Sequence, residues 1–184
     1  MWLLSIDVGI KNLAYCLFKD GNIRVWQVVD IGIQDNKNIQ VLVNAVFDVL
    51  DNIVYNEMCE AEYSKEEIIV LIENQPVMKN PVMKNLQVII ATYATMLERN
   101  GVICKVSVKF ISASSKLKLI EQETGSKIAK SYSANKKAAI AHVKSLIEQS
   151  GDVYMKEVFE GTKKKDDISD VYLQARWWMK NNAF

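Results

Sequence analysis

Three apolar runs crowd into the first 29 residues of the chain: Trp2 to Val8, Leu13 to Phe18 and Ile23 to Val29. Each has the length of a short strand. Between the second and third, Lys19-Asp20-Gly21-Asn22 carries an Asp-Gly pair, which accepts the positive φ angles of a tight hairpin turn. The three runs therefore predict a β-meander.

The period changes straight after it. Asn38 stands as an N-cap, and Ile39, Leu42, Val43, Val46, Leu50, Ile53 and Val54 follow at helical spacing. A polar, acidic connection from Glu57 to Lys65 leads into a fourth strand, Glu67 to Ile72. Asn80-Pro81 then supplies a cap and a proline for the first helical position, and Val82, Leu86, Ile89, Ile90, Tyr93 and Leu97 keep the period until Gly101. Two tandem copies of PVMKN occupy this region: one makes the loop after the strand, the other opens the helix, which reads as a local duplication with no chemistry of its own, phosphate contact by Lys79 and Lys84 being the alternative. Cys104, Val106, Val108 and Phe110 alternate with Ile103, Lys105, Ser107, Lys109 and Ile111, as in a strand with one wetter face. Beyond a lysine-rich connection, Ala138 to Ile147 and Ile168 to Met179 are helical. The order predicts a mixed α/β sheet with the first strand central, and such sheets place ligands beyond the carboxyl ends of their strands.

With 184 residues, 49% of them apolar, the chain is expected to form one domain over 1–184. No apolar run approaches the roughly 20 residues of a membrane span, and Met1-Trp2-Leu3-Leu4 runs into Asp7 without a basic segment or cleavage site, so a soluble, intracellular protein is expected. Cys16, Cys59 and Cys104 form no CxxC and are expected to be reduced core thiols. Residues 1–100 hold 8 basic against 13 acidic side chains, whereas residues 101–184 hold 15 against 9, and nine lysines fall between Lys105 and Lys144. Such a field attracts polyanions, nucleic acid first.

The fourth strand ends on a carboxylate, Glu73, immediately after five apolar residues, and the first ends on Asp7. If these strands are parallel neighbours, the two acids meet at one edge. An unpaired buried charge is costly, so converging carboxylates need a cation. Asp167 and Asp170, three apart at the start of the last helix, supply the rest from one helical face. Four oxygen donors without a His or Cys cluster favour a hard ion, Mg²⁺ or Mn²⁺. On the wheel of that helix, Ile168, Val171, Tyr172, Ala175 and Met179 define the buried side; Asp167 lies at its boundary and Asp166 opposite, so Asp166 is expected outside the ligand set or as a cap. That choice holds only if the helix starts before Asp166. Leu173 and Trp177 form a second apolar stripe, for a neighbouring helix of the same chain or for a second protomer.

Ile6-Asp7-Val8-Gly9-Ile10-Lys11-Asn12-Leu13-Ala14, Ile72-Glu73-Asn74-Gln75-Pro76 and Lys163-Lys164-Lys165-Asp166-Asp167-Ile168-Ser169-Asp170 resemble, in order and spacing, the RuvC-like Holliday-junction resolvases of the ribonuclease H superfamily, above all the poxvirus members and their mitochondrial relatives. The resemblance covers nearly the whole chain. It implies a ribonuclease H-like sheet and a homodimeric, Mg²⁺-dependent endonuclease that nicks a four-way DNA junction symmetrically, leaving 5′-phosphate and 3′-hydroxyl ends. It also implies two ions per site held by Asp7, Glu73, Asp167 and Asp170, and a role in viral DNA replication in the cytoplasm of an infected cell. In some relatives a lysine assists; here Lys116, Lys118, Lys136 and Lys137 all remain open for that role and for binding DNA phosphates.

Other chemistries fit less well. His142, the single histidine, sits beside Ala139, Val143 and Leu146 and is expected to be structural. No GxSxG element or GxxxxGK[ST] loop is present, and the Asp7-Val8-Gly9 turn of the actin and sugar-kinase ATPases has no second glycine-rich phosphate loop here, so no nucleotide cofactor is expected. A non-catalytic junction-binding architectural protein and a ribonuclease H acting on RNA–DNA hybrids stand as the alternatives.

Overall fold

At the tip of the first hairpin Asp20 and Gly21 take φ angles of +50° and +80°, as the Asp-Gly pair requires. This computed structural model describes residues 1–32, 38–58, 66–75, 81–128 and 131–182. The hairpin joins β2 (Leu13–Lys19) to β3 (Asn22–Val29), and β2 also pairs antiparallel with β1 (Trp2–Asp7). On the other side of β1 lies β4 (Glu67–Glu73), parallel to it, followed by β5 (Lys105–Ile111), parallel to β4. The sheet order is β3-β2-β1-β4-β5, with β1 central as expected.

Two helical layers cover the sheet, and strand parity decides which residue faces which. Trp2, Leu4 and Ile6 of β1 pack with Ile68, Val70 and Ile72 of β4 against Leu42 and Val46 of α1 (Ile39–Asp51) and Leu86 and Ile90 of α2 (Pro81–Arg99). Leu3 and Leu71 turn the other way, into a cluster with Leu119 of α3 (Ser115–Thr124), Val143 of α4 (Tyr132–Ser150), Phe159 of α5 (Val153–Gly161) and Val171 of α6 (Lys165–Asn181). Because side chains alternate along a strand, Asp7 and Glu73 share the odd-numbered face with Leu3 and Leu71, the face that α6 covers.

Several expectations need correction. The lysine-rich connection contains a helix, α3, and α4 runs well beyond Ala138 to Ile147 at both ends. A further helix, α5, stands between α4 and α6. Cys104 is exposed, because β5 is an edge strand that starts only at Lys105; Cys16 is buried, and Cys59 lies outside the described residues. On the same edge Phe110 is 51% exposed despite its place in the apolar alternation, and Ile39, in the first turn of α1, is 55% exposed. Asn38 does cap α1, its Oδ1 accepting from the amides of Gln40 and Val41, and α1 runs on through a π-helical turn, Asn52–Glu57, that buries Ile53 and Val54. The second PVMKN copy opens α2 at Pro81; the first copy, with Lys79 and the cap residue Asn80, lies outside the described residues.

Candidate active site

Ile6 of β1 pairs with Ile72 of β4, so Asp7 and Glu73, each one residue further on, leave the sheet side by side at its carboxyl edge. Both chains are held beyond that point. The Asn74 amide donates to the Ile111 carbonyl at 2.8 Å, and the Gln75 amide to Oε1 of Gln87, a buried residue of α2, at 2.8 Å. After β1 the chain turns so tightly that a Cβ on Gly9 would lie 2.5 Å from the Asn12 carbonyl oxygen. Any larger residue would push the turn, and the end of β1 with it, off its path.

The third acid comes from α6, which three sets of hydrogen bonds fix to the rest of the molecule. Trp26 Nε1 donates to the Ile168 carbonyl at 2.8 Å. One turn after Asp170, the buried Gln174 Nε2 donates to Ser5 Oγ at 3.1 Å and lies 3.4 and 3.3 Å from the carbonyls of Ile6 and Leu71, the strands that carry Asp7 and Glu73. At the helix start Lys165 Nζ donates to the carbonyls of Phe159, Glu160 and Thr162, at 2.7, 3.2 and 3.0 Å. As a result one carboxylate oxygen from each of Asp7, Glu73 and Asp170 lies within 4.8 Å of the others. Asp167 lines the same open cleft of about 450 Å³, with Gln75, Tyr132, Asn135 and Lys136, but outside that tight group.

Of the four candidate lysines, Lys116 of α3 enters the acid cluster: its Nζ binds Asp170 and lies 3.2 Å from Glu73. Lys136 of α4 binds Asp166, while Lys118 and Lys137 are exposed. Since α6 begins at Lys165, Asp166 is already in its first turn and turns to Lys136 rather than to the other acids. His142 Nε2 lies 2.8 Å from Glu123, which also accepts from Arg176 and Lys180, a tie between α3, α4 and α6 away from the cleft. Lys84 is held by Asn74 and Gln87. Leu173 is fully buried in this chain's own helical layer, so a neighbouring helix covers that part of the second stripe of α6.

Burial drives the Asp7 carboxyl well above its ordinary range, and the charges of Glu73, Asp170 and Asp167 push the same way against Lys116. Burial also raises Asp170, against the pull of Lys116, and raises Asp167, helped by Asp166. For Asp166 burial is outweighed by the Lys136 hydrogen bond, and the carboxyl is held below its usual range. Burial lowers the Lys116 ammonium, but Asp170 and Glu73 more than restore it. Three ionised carboxylates with one ammonium leave a formal excess of two negative charges, the amount one divalent cation cancels. The donors are all carboxylate oxygens, suited to a hard ion, and Lys116 already stands where a cation is stabilised. The residues thus fit a metal site.

No family model matches the chain. The yeast mitochondrial Holliday junction resolvase Ydc2 superposes with a TM-score of 0.70 at 18% identity, over 97% of this chain and 78% of that one. The fowlpox virus Holliday junction resolvase does so with a TM-score of 0.57 at 20% identity, over 98% and 99%. At such identities the likeness establishes the fold: a five-stranded, ribonuclease H-like α/β sheet, with six helices among the described residues. In sequence, an uncharacterized protein of Acanthamoeba polyphaga mimivirus is 32% identical over 122 residues, 60% of this chain and 28% of that protein. The chain thus matches little more than a quarter of that relative's length. On this fold the Asp7, Glu73 and Asp170 cluster could hold a metal ion.

Proposed function

We propose that residues 1–184 act as one nuclease domain, a Mg²⁺-dependent endonuclease that resolves four-way DNA junctions by paired symmetric nicks, leaving 5′-phosphate and 3′-hydroxyl ends. The observation that carries this reading is the convergence of Asp7, Glu73 and Asp170 at the carboxyl edge of β1 and β4, on a fold shared with two Holliday junction resolvases. Asp7, Glu73 and Asp170, with Asp167 at the rim, would hold the metal. Bound Mg²⁺ supplies a water of lowered pKa and neutralises charge on the leaving 3′-oxygen.

The chain's own residues do the rest. Gln174 and Gly9 hold the carboxylates in register. Lys116 neutralises part of their charge until metal and phosphate arrive. The helical layer that forms the cleft belongs to the half of the chain with 15 basic against 9 acidic residues, and it draws in the polyanion. Two symmetric nicks call for two such sites, so the working unit in this reading is a homodimer. Its setting is the replication of a viral genome in the cytoplasm of an infected cell. Among the described residues no helix is long and apolar enough to cross a membrane.

The test is a substrate panel in Mg²⁺ and in Mn²⁺: a synthetic four-way junction, the matching linear duplex, and an RNA–DNA hybrid. Paired cuts confined to the junction are expected, with Mn²⁺ substituting. Cleavage of the hybrid's RNA strand instead would make the protein a ribonuclease H, and tight junction binding without any cleavage would make it an architectural binder.

A further inference from the structure

Helix α3 has little packing to hold it. Of its ten residues only Leu119 and Ile120 are apolar and fully buried, yet it carries Lys116 into the acid cluster. What fixes it lies at its two ends. At the start Lys116 binds Asp170 of α6 and lies 3.2 Å from Glu73. Near the other end the Glu123 side chain, 14% exposed, lies 2.8 Å from Nε2 of His142 on α4 and accepts from Nε of Arg176 and Nζ of Lys180 on α6, at 3.3 and 3.2 Å. Burial raises the Glu123 carboxyl, but the bonds from His142, Arg176 and Lys180 outweigh it and hold the group below its usual range. The two ties match in pitch. Seven residues separate Lys116 from Glu123 and six separate Asp170 from Arg176, about 10 and 9 Å of helix rise, so α3 lies along α6 in the same direction, fastened at both ends. The first fastening is the weaker in use, because a divalent ion at Asp7, Glu73 and Asp170 needs the place of the Lys116 ammonium.

We infer that Glu123 is a positioning residue, whose hydrogen bonds to α4 and α6 fix where α3 stands and so keep Lys116 at the acid cluster; this rests on the reading of that cluster as the metal site of a nuclease. Glu123 lines neither the cleft nor the acid cluster, so it acts on the site only through α3. Two effects of opposite sign follow from that route. With the tie in place Lys116 has little freedom to retreat, and a divalent ion enters against its full charge. With the tie cut, α3 moves and Lys116 yields, so the ion binds more tightly. The same freedom takes the ammonium away from the substrate phosphate it would face, and cleavage slows. A loss of folding alone would weaken both metal binding and cleavage, which separates this role from a merely structural one.

The experiment pairs calorimetric titration with Mn²⁺ in the absence of DNA with single-turnover cleavage of a four-way junction in Mg²⁺. Glu123→Ala should bind Mn²⁺ more tightly than the wild type, by up to the roughly tenfold that removal of the Lys116 charge gives, and should cut roughly tenfold more slowly. Glu123→Gln, of the same shape and able to keep the hydrogen bonds, should stay within about twofold of the wild type in both. Added to Lys116→Met, Glu123→Ala should change the Mn²⁺ affinity no further, because the two substitutions act through one ammonium and are not additive. Metal-free thermal melts show which variants fold, and Arg176→Met, which removes only part of the tie to α6, should show the same two signs if Glu123→Ala does not fold. An unchanged Mn²⁺ affinity in the folded variant, an effect that adds in full to that of Lys116→Met, or a Glu123→Gln that follows Glu123→Ala overturns this inference alone. A wild type that binds no Mn²⁺ overturns the metal-site reading and this inference with it.

Discussion

Lys116 reaches Glu73 and Asp170 from α3 and takes the place between them that a bound cation would take. A divalent ion must displace that ammonium or share the site with it, and either costs affinity. Lys116→Met is therefore expected to bind Mn²⁺ more tightly than the wild type, roughly tenfold for removal of one adjacent like charge, while its metal-free form melts lower. Calorimetric titration without DNA checks this; equal affinity would mean that Lys116 does not face the ion. Asp7 gives the opposite sign. Its folded-state proton affinity is raised by burial first and by the other acids second, so its contribution to stability is present below the unfolded pKa and is lost as pH rises through the raised folded value. Asp7→Asn should then leave the metal-free protein more stable than wild type at pH 7, by on the order of 1–3 kcal/mol. The advantage should vanish near pH 4, and the Mg²⁺-induced rise in melting temperature should go with it. Asp166 and Asp167 differ in kind: one is engaged by Lys136, the other lines the cleft. Asp167→Asn is expected to reduce Mg²⁺-dependent cleavage far more than Asp166→Asn, and the reverse order would reassign the two.

Helix α6 is the element on which the site depends, since it must hold Asp170 against two strands that arrive from elsewhere in the chain. Gln174 does this most directly, reaching Ser5, Ile6 and Leu71 at once. Gln174→Leu has similar bulk but no donor, and removes the buried hydrogen bond to the Ser5 hydroxyl and the contacts to the Ile6 and Leu71 carbonyls. A loss of about 1–3 kcal/mol in stability is expected, with cleavage falling more than junction binding; parallel losses in both would show that Gln174 supports folding only. The start of α6 was left open in the sequence, because nothing apolar precedes Ile168 in its first turn: the helix was expected over Ile168 to Met179 and begins earlier, at Lys165. Helices α3 and α5 were missed for different reasons. In α3 only Leu119 and Ile120 are both apolar and fully buried, too few for a period to stand out among its lysines and glutamates. For α5 the signal was there: Gly151 ends α4 at φ 65° and Asp152 caps α5, its Oδ1 accepting from the Met155 amide at 2.9 Å. A Gly-Asp pair is a stop and a start in adjacent residues, and the weak apolar period after it hid the second half of the signal.

Across the whole molecule, the two halves of the chain differ in charge and in position. The acidic first half supplies four strands and the layer of α1 and α2; the basic second half supplies the edge strand β5 and the opposite layer, α3 to α6, which covers the face where the acids emerge. The five strands, the helices α1 and α2 and the centrality of β1 were legible because apolar runs and turn residues are local signals. Which of four lysines meets the acids was not, because Lys116 and Lys136 are placed by the packing of α3 and α4 on α6, a contact between residues 30 to 54 apart in sequence. The exposure of Cys104 and Phe110 was equally hidden, since nothing local says that a strand is last in its sheet. The central claim is that this convergence makes a metal-dependent nuclease whose DNA binding is separable from its chemistry. The most direct measurement of it is single-turnover cleavage of a synthetic four-way junction in Mg²⁺, beside a binding assay in its absence, for wild type, Asp7→Asn, Glu73→Gln and Asp170→Asn. The wild type should cut and all three variants should bind without cutting, whereas near wild-type cleavage by any of the three, or a wild type that leaves the junction intact, would contradict it.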